Sequence, residues 1–130
     1  MKPTSRRLHL ESLEARIAPA AGDLDIAFGN QGIFKVNIQN AAAFETIVLP
    51  DGKFLAAGDC GVIGSRRFVM ARYFAEGSLD TSFGNAGVVF ADFQVDDVGS
   101  DIAVQADGKI VFVGHTRPNT NTGFQVAIAR

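Results

Sequence analysis

At 130 residues, with 47% hydrophobic and 20% charged side chains, the chain has the composition of a folded domain and not of a disordered polymer. Its 12 Lys and Arg against 14 Asp and Glu give a formal net charge of -2, which argues against a nucleic-acid partner, because phosphate-backbone binding needs clustered cations. The longest apolar runs, such as IVFVG from Ile110, fall far short of the approximately 20 residues that a bilayer crossing takes, so no transmembrane segment is expected.

The first segment, residues 1–21, carries a helical pattern at Leu10, Leu13 and Ile17 that Pro19 would stop. Glu11, Glu14 and Arg16 interrupt the place where a secretory signal keeps an unbroken apolar core. Arg7, Leu10, Glu11, Leu13, Glu14 and Arg16 are similar to the LEPR-type leader found at the start of many large exported or surface-attached bacterial proteins, with Ala15 where the commonest form has proline. That resemblance implies a helical or disordered targeting segment, and an exported, extracellular or cell-surface location. His9 belongs to it and is set aside.

From Gly22 onward the chain says the same thing twice. GDLDIAFGNQGIFKV, from Gly22, returns as GSLDTSFGNAGVVFA, from Gly77, and LPDGKFLAAG, from Leu49, returns as QADGKIVFVG, from Gln105. Gly29 to Gly84 is 55 positions and Gly52 to Gly108 is 56, so two separate motifs share one period. A fixed period of that size marks stacked units, none of which covers its own apolar face alone.

In chain order, Gly22 to about Ile38 reads as a turn-rich link followed by a strand. Asp51-Gly52 reads as the tight turn of a hairpin, since Asp-Gly tolerates positive φ. Cys60, the single cysteine, lies among Gly58, Asp59 and Gly61 and reads as a loop thiol with no intramolecular disulfide. RFVMARYF from Arg67 is a strand, AEGSLDTSFGNAG a second link containing Phe83, and GVVFADF the strand after it. The second unit repeats the hairpin at Asp107-Gly108. Its strand IVFVG is apolar at successive positions, which predicts cover on both faces. FQVAIAR from Phe124 closes the unit after a polar loop that absorbs the extra residues.

Eight short strands in this order predict an all-β fold over 22–130: two four-stranded antiparallel propeller-type blades, a partial β-propeller. The first strand stands alone and is expected to complete the last blade. Propellers use typically 4 to 8 blades, so further blades are expected, by self-association or from a longer chain of which this is a piece.

Ala71, Arg72, Tyr73, Gly77, Ser78, Leu79, Asp80, Ser82, Phe83, Gly84, Asp107, Gly108 and Lys109 together resemble the delta-60 repeat, a bacterial propeller-like module. The first unit carries Ile26, Ala27 and Phe28 where the second has the Thr-Ser-Phe run. FGNAG is also similar to the FG-GAP repeats of integrin-type propellers, without their dense acidic calcium loop.

The recurring residues are Asp25, Phe28 and Gly29 with Asp80, Phe83 and Gly84, and Asp51 and Gly52 with Asp107 and Gly108. Their expected role is structural: an Asp capping backbone N–H groups in a tight loop, a Phe anchoring that loop between blades. Asp80 with Asn85 is the candidate calcium site, but the loop lacks alternating carboxylates, so capping is the preferred reading. Arg66, Arg67 and Arg72 are a candidate basic patch for an acidic glycan or a protein. His115 has no ligand-spaced partner, and Asp92, Asp96 and Asp97 form no catalytic set. No catalytic residue, metal or cofactor is assigned. The expected function is a non-enzymatic scaffold or binding module of an exported or cell-surface bacterial protein, its ligand a glycan or a protein. The alternative is a propeller-type hydrolase or lyase.

Overall fold

The structure is a computed structural model that describes residues 20–93, 95–119 and 121–130. The expected leader falls, up to residue 19, outside the described residues. Seven strands follow: β1 (Ala41–Val48), β2 (Phe54–Val62), β3 (Ser65–Tyr73), β4 (Val88–Ala91), β5 (Asp96–Val104), β6 (Ile110–Arg117) and β7 (Gln125–Ala129). They form two antiparallel sheets, a four-stranded one in the order β1-β2-β3-β4 and a three-stranded one in the order β5-β6-β7. The described residues contain no helix, and the fold is all-β, as the turn-rich repeat predicts.

The hairpin turns repeat in detail. Leu49 N–H donates to the Lys53 carbonyl at 2.7 Å, and Gln105 N–H to the Lys109 carbonyl at 2.8 Å. Gly52 and Gly108 adopt φ of 82° and 80°, while neither aspartate has a positive φ. The turn is therefore a three-residue loop with glycine in the left-handed position, and not the two-residue turn expected from Asp-Gly alone. The aspartate instead accepts the N–H two residues on, at 3.1 Å from Lys53 and from Lys109.

A β-bulge between Ala43 and Glu45 recurs between Gly99 and Asp101. Beside it the neighbouring strand comes so close that a Cβ on Gly58 would collide with the Ala42 carbonyl, and one on Gly114 with the Val98 carbonyl. Glycine at these two places is thus a packing requirement inside a strand. This corrects the loop assignment around Cys60, which lies within β2 and is 4% exposed.

The sheets meet face to face. Leu55, Ala57, Phe68 and Met70 of the first pack against Ile102, Phe112 and Ala127 of the second. Phe68 is fully buried, stacked on Phe112 with centroids 4.4 Å apart and edge-on to Phe93 at 5.2 Å. Burial of these aromatic rings adds apolar and ring-stacking stabilisation to the interface.

Two expectations are corrected. The strand expected to end near Ile38 is not formed: residues 34–38 have no ladder partner, because no described strand stands beside them. They lie over the face of the first sheet that points away from the second, where Phe34 meets Tyr73 edge-on at 5.7 Å and Val36 and Ile38 border Ala56, Gly58, Val69 and Ala71. The second sheet accordingly has three strands instead of four. And β6 is covered on one face only: Phe112 and Thr116 are buried and the rest of the strand is half-buried, since a single sheet packs against it.

Candidate functional site

The second link, between β3 and β4, is folded around Asp80. Gly77, Gly84 and Gly87 take positive φ there, as does Ala86 at 50°. Asp80 is fully buried, and both its oxygens are engaged. Oδ1 accepts from Ser82 Oγ at 2.5 Å and from Ser82 N–H at 3.1 Å, while Oδ2 accepts from Lys53 Nζ and Arg72 Nε, each at 2.9 Å. The Ser82 hydroxyl and the Lys53 ammonium hold this carboxyl far below the usual carboxylate range. Arg72 also lies over the Phe83 ring, 4.6 Å from its centroid. Two cations beside Asp80 oppose a divalent ion at the same oxygens, and Asn85 turns its N–H to the Val88 carbonyl at 2.8 Å.

The first link copies this backbone. Gly22, Gly29, Gln31 and Gly32 have φ of 97°, 56°, 53° and 84°, against 92°, 54°, 50° and 96° at Gly77, Gly84, Ala86 and Gly87. Asp25 Oδ1 accepts from Ala27 N–H at 3.0 Å, as Asp80 does from Ser82. Yet Asp25 is exposed and, among the described residues, has no ion pair. The links touch: Gly29 N–H donates to the Glu76 carbonyl at 2.8 Å, and the Phe28 ring closes over Gly77 and against Phe54 at 5.9 Å.

The three arginines do not form one patch. Arg66 crosses to the second sheet and binds Asp96 with both ends of its guanidinium, at 2.8 and 2.9 Å, which lowers the Asp96 pKa to about 2. Arg72 is taken up by Asp80 at the other end of β3. Arg67 stacks on Phe90, 4.1 Å from its centroid. Near the inter-sheet bridge, Asp59 is buried, and burial raises its pKa, Asp96 adding to the rise while Arg66, His115 and the Gly99 N–H oppose it. Asp59 Oδ2, Asp97 Oδ1 and Thr116 Oγ1 have no hydrogen-bond partner among the described residues. Asp97 Oδ2 accepts from Phe93 N–H at 2.7 Å. His115 lies within β6, edge-on to Phe124 at 4.6 Å.

A groove of about 810 Å³ opens between residues 36–40 and the ends of β2, β3 and β4. Asn37, Asn40, Ser65, Arg66, Arg67 and Phe90 line it, giving amide, hydroxyl and guanidinium donors beside one aromatic face. Asp92 also borders it. The sequence signalled the arginines, but not Asn37, Asn40 or the Arg66 to Asp96 bridge. Asp96 stands where the first unit has Asn40, and that break in the repeat was the available clue.

No curated protein and no solved structure matches the chain. A family model does: residues 49–83 and 105–130 match the domain of unknown function DUF5122, described as a β-propeller. The matched stretches begin at equivalent points of the two units, just before each Asp-Gly turn. Together with the two packed sheets, this match supports a propeller-type repeat module.

Proposed function

We propose that this module is a non-enzymatic scaffold of an exported or cell-surface bacterial protein, and that its groove is a contact surface for a glycan or a protein. The observation that carries the reading is the Asp80 cluster. Lys53, Arg72 and Ser82 engage both oxygens of that buried carboxylate, so the most chemically charged of the recurring residues is occupied in holding a loop. Fold alone does not assign an activity, and the donors around Phe90 suit hydroxyl-rich or anionic groups. Export is supported by the likeness of residues 7–16 to a bacterial leader.

Binding of the full chain to a panel of neutral and acidic oligosaccharides and envelope proteins tests the groove. Expected is binding weakened by Arg67→Ala without loss of cooperative melting. Hydrolytic or eliminative turnover of a glycan, abolished by groove substitutions, would establish the enzyme reading instead. Fusion of residues 1–21 to a reporter tests export separately.

A further inference from the structure

The repeat supplies a template for one contact, and this chain carries both of its halves unengaged. In the template, β4 pairs with the outer edge of β3 as Ala71↔Val88, Met70↔Val89, Val69↔Phe90 and Phe68↔Ala91, while Asp80 of the intervening link enters the clamp of Lys53 and Arg72. Shifted by the repeat, the clamp becomes Lys109 and Arg130, and the edge becomes that of β7. Among the described residues, Lys109 reaches only Asp107 in its own turn, and Arg130 is exposed without an ion pair. No described strand lies on the outer edge of β7, and the face of β7 that carries Val126 and Ile128, 80% and 60% exposed, has no described sheet against it.

The matching insert is the first link. Its Asp25 has the Asp80 backbone but no cation among the described residues, and of residues 33–36, equivalent to β4, Ile33 makes only isolated bridges within its own link while 34–36 have no ladder partner. Within this molecule the insert lies away from the clamp. Residues 34–38 lie on one face of the first sheet, against Ala56, Val69 and Ala71, whereas the second sheet packs on the opposite face, against Leu55, Phe68 and Met70.

We propose that residues 22–36 of one copy of this chain complete the second sheet of another copy. The pairs are Ala129↔Ile33, Ile128↔Phe34, Ala127↔Lys35 and Val126↔Val36, with Asp25 entering the clamp of Lys109 and Arg130. The inference rests on the propeller reading. The link contact extends in the same sense: Gly84 N–H, equivalent to the Gly29 N–H that meets the Glu76 carbonyl, meets the Ala21 carbonyl of the incoming copy. Such a contact is head-to-tail, so it closes into a ring when the rotation allows.

The test uses the full chain. Chains bearing Phe34→Cys and chains bearing Ile128→Cys are mixed under mild oxidation, with buried Cys60 left in place. Expected is a disulfide-linked dimer joining the two kinds of chain, far above the off-register mixture of Phe34→Cys with Val126→Cys, and a discrete oligomer by light scattering. Asp25→Lys weakens association about tenfold, and Arg130→Asp in the same chain restores it. A chain that stays monomeric, or cross-links no better in register than out, overturns the proposal. A monomer that binds an added peptide of residues 22–38 overturns it in favour of a further repeat of the same polypeptide at that edge. In either case, a cooperative all-β melt by circular dichroism leaves the propeller reading standing, and loss of the β signal sinks that reading instead.

Discussion

Arg66 on β3 grips Asp96 on β5 across the two sheets, its Nε 2.8 Å from Oδ1 and its Nη2 2.9 Å from Oδ2. Bidentate geometry of this kind fixes both distance and angle between the sheets, which an apolar contact alone does not. Arg66→Ala leaves Asp96 buried without its cation, held only by backbone N–H groups, and is expected to cost about 2 kcal/mol in equilibrium unfolding at neutral pH. The sign with pH follows from the lowered carboxyl: Asp96 goes from 3.8 to about 2 on folding, so the stabilisation is complete above roughly pH 4 and is lost as pH falls toward 2. A denaturation series from pH 5 to pH 2 should show this acid-side loss in the native chain and a shallower one in Arg66→Ala.

Asp80→Asn and Asp25→Asn separate a buried carboxylate from its exposed copy. Asp80→Asn removes the charge that pairs with Lys53 and Arg72, and a marked fall in melting temperature is expected. Asp25→Asn keeps the side-chain oxygen that accepts the Ala27 N–H, so the unassembled chain should change by less than about 0.5 kcal/mol. Thermal melts at a concentration below assembly compare the two. A chelator is expected to leave the native melting temperature where it is, because two cations already answer the Asp80 charge.

Gly58→Ala drives a methyl group into the Ala42 carbonyl, and Gly114→Ala does the same at Val98. Each should cost about 3 kcal/mol, because the contact is with backbone and cannot be relieved by a rotamer change. Gly64→Ala, at φ 88° with nothing within 4 Å, should cost only about 1 kcal/mol of left-handed strain. Chemical denaturation of the three variants measures the difference.

Asp59 is a buried carboxyl whose burial raises its pKa, so its charged form opposes folding above that pKa. Asp59→Asn is expected to stabilise the chain by about 1 kcal/mol at pH 7, and the gain should vanish below pH 3.8, where the native carboxyl is protonated in both states. Paired melts at pH 7 and pH 3 check the sign.

The architecture was legible because it is local and said twice. Asp-Gly turns, links and apolar runs recur at one period, and each needs only neighbouring residues to form. What escaped the sequence depends on partners far along the chain. Gly58 looks like a loop residue until the Ala42 carbonyl is placed against it, and the strand expected before Ile38 requires an edge that no described strand offers. The bridge from Arg66 to Asp96 spans 30 positions and has no copy in the other unit, where Phe124 and Asn40 occupy the equivalent places, so repetition was silent about it. Lys53 was visible only as the residue after a turn, yet it reaches a carboxylate 27 positions away.

The connection from β6 to β7 runs through residues 118–124, whereas Ile63 and Gly64 alone join β2 to β3. Five cross-strand pairs, from Phe112↔Ala129 to Thr116↔Gln125, set the alignment of β6 and β7 without help from that connection. An epitope or affinity tag grafted between Pro118 and Gly123 would therefore be displayed on paired strands, which makes this connection the natural port for engineering the module as a carrier.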